Sequence, residues 1–237
     1  IDGIENHRLK EAAKKYVLNS EGLPVRVVTG TAHPTSNFAI VSKPGTELSV
    51  RDLKGKQVVG PKGTFLHQLL AAALEKEGMK ESDVQFINTG IPKALSTILA
   101  GHADAALVAS SALIKANKAG AKTIINAERL VEPTLVMTTT KQFAEEHPDI
   151  VKRVDKVYAE SLQWMKDHPA ETAEMGAKEH GISIEDAKTL MERSHYFDKM
   201  TTKDLEDLKV NQKFLRDNGM MRNEVTVEEL VLPVAME

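Results

Sequence analysis

The residues best placed to do chemistry lie in Gly60-Pro61-Lys62-Gly63-Thr64, between a β-branched run and an apolar helical stripe that opens at Phe65. Glycines allow a tight turn there, and the first N–H groups of a helix have no partners within it. With the helix dipole behind them, such groups cradle an anion. Thr64 is placed to cap the helix or to turn its hydroxyl toward a ligand. An ordinary strand-to-helix turn with an N-cap uses the same residue types, so the loop acquires meaning only from its company. Ser110 and Ser111 follow the run Ala105 to Ala109, at what reads as the carboxyl end of a strand. Ser36 and Asn37 close the stretch Thr31-Ala32-His33-Pro34-Thr35-Ser36-Asn37, rich in small hydroxyl and amide groups just before the next strand. Glu132 and Thr134 flank Pro133 where the chain turns back, and Glu132 beside an anion is unfavourable unless paired, so it also suits a ligand carrying an amine. Asn6 and His7 start a helix and could face the same place. The candidate ligand-binding set is thus Gly63, Thr64, Phe65, Ser36, Asn37, Asn6, Ser110, Glu132 and Thr134.

Much other chemistry has no foothold. The eight histidines are never closer than 12 positions, and there are no cysteines, so no paired-histidine or thiolate metal site can be written and no metal is expected. No Gly-x-Gly, Gly-Lys-Ser/Thr or Gly-x-Ser-x-Gly motif occurs, which leaves dinucleotide, P-loop and serine-elbow chemistry without their usual signatures. No cofactor and no catalytic residue is assigned. A formal charge of -3 gives no basic excess for a phosphate backbone, so no nucleic-acid partner is expected. Aromatic residues make up 4% of the chain, which is little to stack a purine or flavin upon, and a small polar ligand fits better. The apolar runs fall far short of the roughly 20 residues that cross a bilayer.

The elements that must position these residues follow from periodicity. Pro24 to Thr29 and Phe38 to Ser42 are short β-branched runs. From Lys56 the pattern alternates: strand at Gln57 to Gly60, helix at Phe65 to Glu77, strand at Val84 to Asn88, helix at Pro92 to Ala100. Strand at Ala105 to Ala109, helix at Ser111 to Ala119 and strand at Lys122 to Ile125 complete it. Such β-α alternation predicts a mainly parallel sheet that binds ligands at the carboxyl ends of its strands. After a strand at Thr134 to Thr138 the chain reads as helical, broken at His147-Pro148 and His168-Pro169. Ser183-x-x-Asp186, Thr201-x-x-Asp204 and Thr226-x-x-Glu229 mark further helix starts.

Asp52-Leu53-Lys54-Gly55-Lys56-Gln57-Val58-Val59-Gly60, the loop and helix after it, and Ala100-Gly101-His102-Ala103-Asp104-Ala105 together resemble bacterial ABC-transporter substrate-binding proteins of the nitrate, sulfonate and taurine group. Phe143-Ala144-Glu145-Glu146-His147-Pro148, Val151-Lys152-Arg153, Trp164 and His168-Pro169-Ala170-Glu171 resemble a later segment of the same group. These four pieces occur in register along most of the chain.

The resemblance implies an α/β, two-lobed periplasmic-binding-protein-like fold. One lobe would comprise residues 46-136 and the other 1-42 with 139-237, the crossovers falling near Val41 to Lys43 and Thr138 to Thr140. Ile1-Asp2-Gly3 resembles the remnant of a family strand that two strands and two helices normally precede, so the first lobe is expected to lack its opening elements, roughly 50 residues or more. The apolar residues of Val25 to Val28 and Phe38 to Val41 would then need cover from elsewhere. The implied function is a non-catalytic, periplasmic or extracytoplasmic receptor that delivers a small anionic or zwitterionic solute to an ABC-transporter permease, meeting the membrane only through that permease or a lost anchor. Two alternatives use similar lobes: the effector-binding half of a cytoplasmic transcription regulator, and a pyrimidine-precursor synthase-like enzyme.

Overall fold

The computed structural model describes residues 24-221 and 223-237; the expected opening strand and the helix at Asn6 and His7 lie outside them. Among the described residues seven strands form two sheets. Strands β2 (Phe38–Ser42), β3 (Gln57–Gly60), β4 (Gln85–Asn88), β5 (Ala105–Ala109) and β6 (Thr123–Asn126) make a five-stranded sheet in the order β4-β3-β5-β2-β6. Strands β1 (Val25–Ala32) and β7 (Leu135–Thr140) pair antiparallel as a separate ribbon. Helices α1 (Phe65–Lys76), α2 (Ile91–Leu99) and α3 (Ser111–Lys118) belong to the larger sheet. After β7 come α4 (Lys141–Glu146), α5 (Pro148–Asp167), α6 (Pro169–His180), α7 (Ile184–Glu192), α8 (Thr202–Asp217) and α9 (Val227–Leu230).

The β-α alternation produces what it predicts: α1 carries the chain from β3 to the parallel neighbour β4, and α2 carries it to β5 on the other side of β3. The sheet is nonetheless mixed. Strand β2 runs antiparallel to both β5 and β6, with Phe38 opposite Ala109 and Ile40 opposite Ile125. Every residue of β2 and of β5 is buried, so both read as continuous apolar runs, as strands covered on both faces do.

The position of β2 corrects the expected lobe boundary. Phe38–Ser42, expected in the first lobe, pairs only within the larger sheet. The crossovers therefore lie at 33-37 and 127-134 rather than near Val41 to Lys43 and Thr138 to Thr140, which are a strand end and part of β7. A continuous apolar run gives no sign of which sheet it joins. For the same reason Phe38 to Val41 need no outside cover: β5, β6 and α1 bury them. Val27 is buried by the C-terminal segment, whose Leu232 N–H donates to the Val27 carbonyl at 2.9 Å.

Two apolar clusters follow the two sheets. The larger joins Phe38, Ile40, Leu53, Leu66, Leu69, Leu70, Leu74, Ile98 and Leu107 with their neighbours. The smaller joins Val27, Met200, Leu208, Leu215, Val227 and Leu230. The capping boxes at Ser183 and Thr201 both form, whereas Thr226 makes no side-chain cap bond.

Two features of the larger unit make its packing testable. A Cβ on Gly60 would lie 2.5 Å from the Leu107 Cβ on the neighbouring strand, so only glycine lets β3 and β5 approach this closely. Gly60→Ala is expected to cost about 1–3 kcal/mol, read as a lower thermal-unfolding midpoint; an unchanged midpoint would mean the strands tolerate separation. In α1, His67 is fully buried, stacked on Phe86 at 4.7 Å, with Nδ1 accepting from the Gly63 N–H at 3.2 Å and Nε2 3.1 Å from the Glu81 carboxylate. Burial holds the imidazole below its ordinary pKa, Glu81 opposes that shift and Lys62 adds to it. The unfolded chain therefore binds the proton more readily. The stability due to neutral His67 is present above about pH 6.5 and is lost as the pH falls toward the lowered native value. Urea midpoints across this range should fall more steeply for the natural protein than for His67→Gln, and parallel curves would count against this account.

Candidate functional site

Strands β3 and β5 are parallel neighbours, with Val58 opposite Ala105 and Val59 opposite Ala106, so the loops at their carboxyl ends lie side by side. This places the Gly63 loop next to Ser110. The turn at 33-37 joins them, because the Ser110 N–H donates to the Asn37 carbonyl at 2.8 Å. Gly63, Thr64, Phe65, Ser36, Asn37 and Ser110 thus gather at one end of the sheet. Asn6 and His7 lie outside the described residues.

The loop is more closed on itself than its sequence suggests. Gly63 adopts φ +71°, and its N–H points at His67 rather than outward. The Thr64 hydroxyl donates to the Pro61 carbonyl at 2.9 Å and makes no cap bond to α1. The Lys62 N–H donates to the Asn88 side chain at 2.9 Å. Phe65 is buried in the larger cluster. Asn37, expected as a donor to ligand, is buried too, and its amide donates to the Leu190 carbonyl and the Ser194 hydroxyl, both at 3.3 Å.

Three hydroxyls remain, and that of Ser36 is half-exposed in the turn 33-37. Ser110 sits at φ +52° and ψ -127°, a conformation that costs a non-glycine residue about 1–3 kcal/mol and clusters at ligand sites. Its half-exposed side chain stands at the start of α3. Thr134, in the crossover 127-134, is fully buried, and its Oγ1 has no hydrogen-bond partner. Buried hydroxyls are normally paired, so an orphan of this kind needs an explanation. Glu132 is exposed, while its backbone carbonyl accepts a long 3.5 Å bond from the Asn211 amide. Neither Ser36 nor Ser110 has a hydrogen bond to an imidazole, and among the described residues no cluster of His, Asp and Glu could hold a metal.

Several residues around this region carry no motif. Gln68, one turn beyond Thr64, donates to the Asn211 side chain on α8 at 2.9 Å, both groups being buried. A glutamine inside the stripe Phe65, Leu66, Leu69, Leu70 was the available signal. His33, in the first crossover, stacks flat on Phe197 at 4.3 Å and places Nε2 2.9 Å from Asp204. Gly30 makes room for that ring, since a Cβ there would lie 2.0 Å from it. The capping pattern at Thr201 finds Asp204 but only half of its role: one carboxylate oxygen caps α8 and the other faces His33.

The taurine-binding periplasmic protein of Escherichia coli is 29% identical over 153 residues, 59% of this chain and 48% of its own length. The chain spans less than half the length of the curated relatives it matches first. Among solved structures, the alkanesulfonate-binding protein SsuA of Xanthomonas axonopodis pv. citri, bound to MOPS, superposes with a TM-score of 0.82 at 17% identity, over 93% of this chain and 78% of that one. The desulfurization enzyme DSZB gives 0.73 at 14%, over 96% and 80%. Identities this low speak to fold alone, and that fold is the two-lobed α/β architecture of periplasmic binding proteins. The family model described as NMT1/THI5 like matches residues 9-172, well over half of the sequence, and the chain belongs to the NMT1/THI5-like family.

Proposed function

We propose that this chain is the solute-binding part of an ABC importer, a non-catalytic receptor that closes two lobes on a small anionic or zwitterionic solute and presents it to a membrane permease. The lobes correspond to the unit built on residues 38-131 and to the ribbon β1-β7 with the C-terminal helices. The observation that carries the reading is the buried, unpartnered Thr134 hydroxyl in the crossover between the sheets, together with strained Ser110 at the carboxyl end of β5. Both are hydroxyls that can donate to a sulfonate or carboxylate. The named activity of the taurine-binding relative supports the ligand class. Exposed Glu132 suits the ammonium end of a zwitterion.

Closure is needed on energetic grounds. Micromolar binding requires about 8 kcal/mol, whereas a helix N-terminus supplies about 0.3–1 and each hydrogen bond to a charged group about 1.5–3. Donors from one loop are too few, and two lobes must contribute. The receptor reading places the protein in the periplasm or its extracytoplasmic equivalent; among the described residues no helix is long and apolar enough to cross a membrane.

Isothermal titration of the intact protein with taurine, methanesulfonate and nitrate tests the reading. At least one is expected to bind with a Kd of about 1–100 μM, and no binding by any of them at millimolar concentration overturns it. Ser110→Gly should weaken that binding about tenfold or more, the loss of one hydrogen bond to a charged group. Its unfolding midpoint should not fall, because glycine relieves the strained backbone. Unchanged affinity would remove Ser110 from the site.

A further inference from the structure

Among the described residues the two apolar clusters share no buried side chain, although Leu135 of β7 packs against the larger one, and polar bonds join the larger unit to the C-terminal helices. Lys115 Nζ of α3 donates to the His180 carbonyl at 2.8 Å, Lys118 of α3 pairs with Asp186 of α7, and Asn37 reaches Leu190 and Ser194. Gln68 of α1 bonds Asn211 of α8. The lysine contacts are exposed, and solvent screens such pairs. The Gln68–Asn211 pair is buried, so parting it leaves two amides to be resolvated.

Helix α8 also meets both crossovers. Asp204, Leu208 and Asn211 recur at i, i+4 and i+7, one face of the helix, and all three are buried. Asp204 pairs with His33 in the crossover 33-37. Asn211 donates to the Glu132 carbonyl in the crossover 127-134 and accepts from Gln68, one turn behind the Gly63 loop. A single side chain therefore ties the second crossover to the helix whose amino end forms one wall of the candidate site.

We propose that Asn211 is a positioning residue that sets the closed spacing of the lobes by holding the Glu132 carbonyl and Gln68 together. This rests on the receptor reading, in which the lobes part and close. Opening about the crossovers moves α1 relative to α8 and breaks the Gln68 bond, while the strand pairings of each sheet stay intact. Asn211 then biases the equilibrium between open and closed forms without touching solute.

Because the chain has no cysteine, Lys93→Cys on α2 and Lys152→Cys on α5 give a unique pair of exposed label sites, one on each unit. Pulsed dipolar spectroscopy of the intact, doubly spin-labelled protein without solute should give one narrow distance distribution. Asn211→Leu is expected to broaden it, Gln68→Leu to do the same, and the double variant to go no further than either single one. Lys118→Ala should leave it unchanged. An unchanged distribution in both Leu variants overturns the proposal, as does equal broadening by Lys118→Ala. Should Asn211→Leu fail to fold, Gln68→Leu alone decides. Titrating taurine into the unlabelled parent judges the receptor reading separately: absence of binding counts against that reading, while the clamp is judged on the solute-free variants.

Discussion

The separation of the apolar residues into two cores governs what this fold can do. Burying a leucine side chain contributes a few kcal/mol, so lobes sharing such contacts would be expensive to part. Here Leu66, Leu69 and Leu107 serve one cluster and Leu208, Leu215 and Leu230 the other. Hydrogen bonds exchange with water at little net change, and apart from Leu135 of β7, which packs against the larger cluster, the contacts named between the units are polar. On the proposed reading, two separate cores joined in this way suit a hinged receptor.

Helix α1 carries both kinds of constraint on its two sides. Gly63 and His67, four residues apart, tie the loop back onto the helix and onto Glu81. Gln68, one residue further on, reaches across the seam to Asn211. The loop is thereby preorganised: its glycine supplies the positive φ, its threonine hydroxyl is held by Pro61, and neutral His67 accepts the inward N–H. A loop already fixed by its own bonds has little conformational entropy left to lose when a solute arrives. Thr64 is therefore best seen as a shaping residue rather than a donor.

Most of the larger unit was legible in the sequence. Apolar stripes at helical spacing and short β-branched runs locate β3, β4, β5 and the helices among them to within a residue or two, because periodicity records which face is buried. Direction and partner are not recorded in the same way. Phe38 to Ser42 is apolar throughout, fits any buried strand, and joins the larger sheet as an antiparallel member only because the chain arrives there from the crossover 33-37. The site was legible as positions and less so as roles. Gly63, Asn37 and Ser110 do meet at the strand ends, yet the Asn37 amide and Thr64 hydroxyl serve the fold. Gln68 and Asn211 announce nothing, because a buried amide pair is defined by two helices 143 positions apart.

The character of the groups left over bears on what kind of solute suits the site. Thr134 Oγ1 and Ser110 Oγ are neutral donors, and neither costs the protein a buried charge when the cleft is empty. A buried lysine or arginine would hold an anion more strongly but would need its own counter-ion in the open form. Neutral hydroxyls, a preorganised loop and an exposed carboxylate at Glu132 favour a solute that brings its own balancing charge. On the proposed reading this points to a zwitterion over a bare anion, its acidic end suited to the neutral hydroxyls and its ammonium end to exposed Glu132, where water still screens the charge.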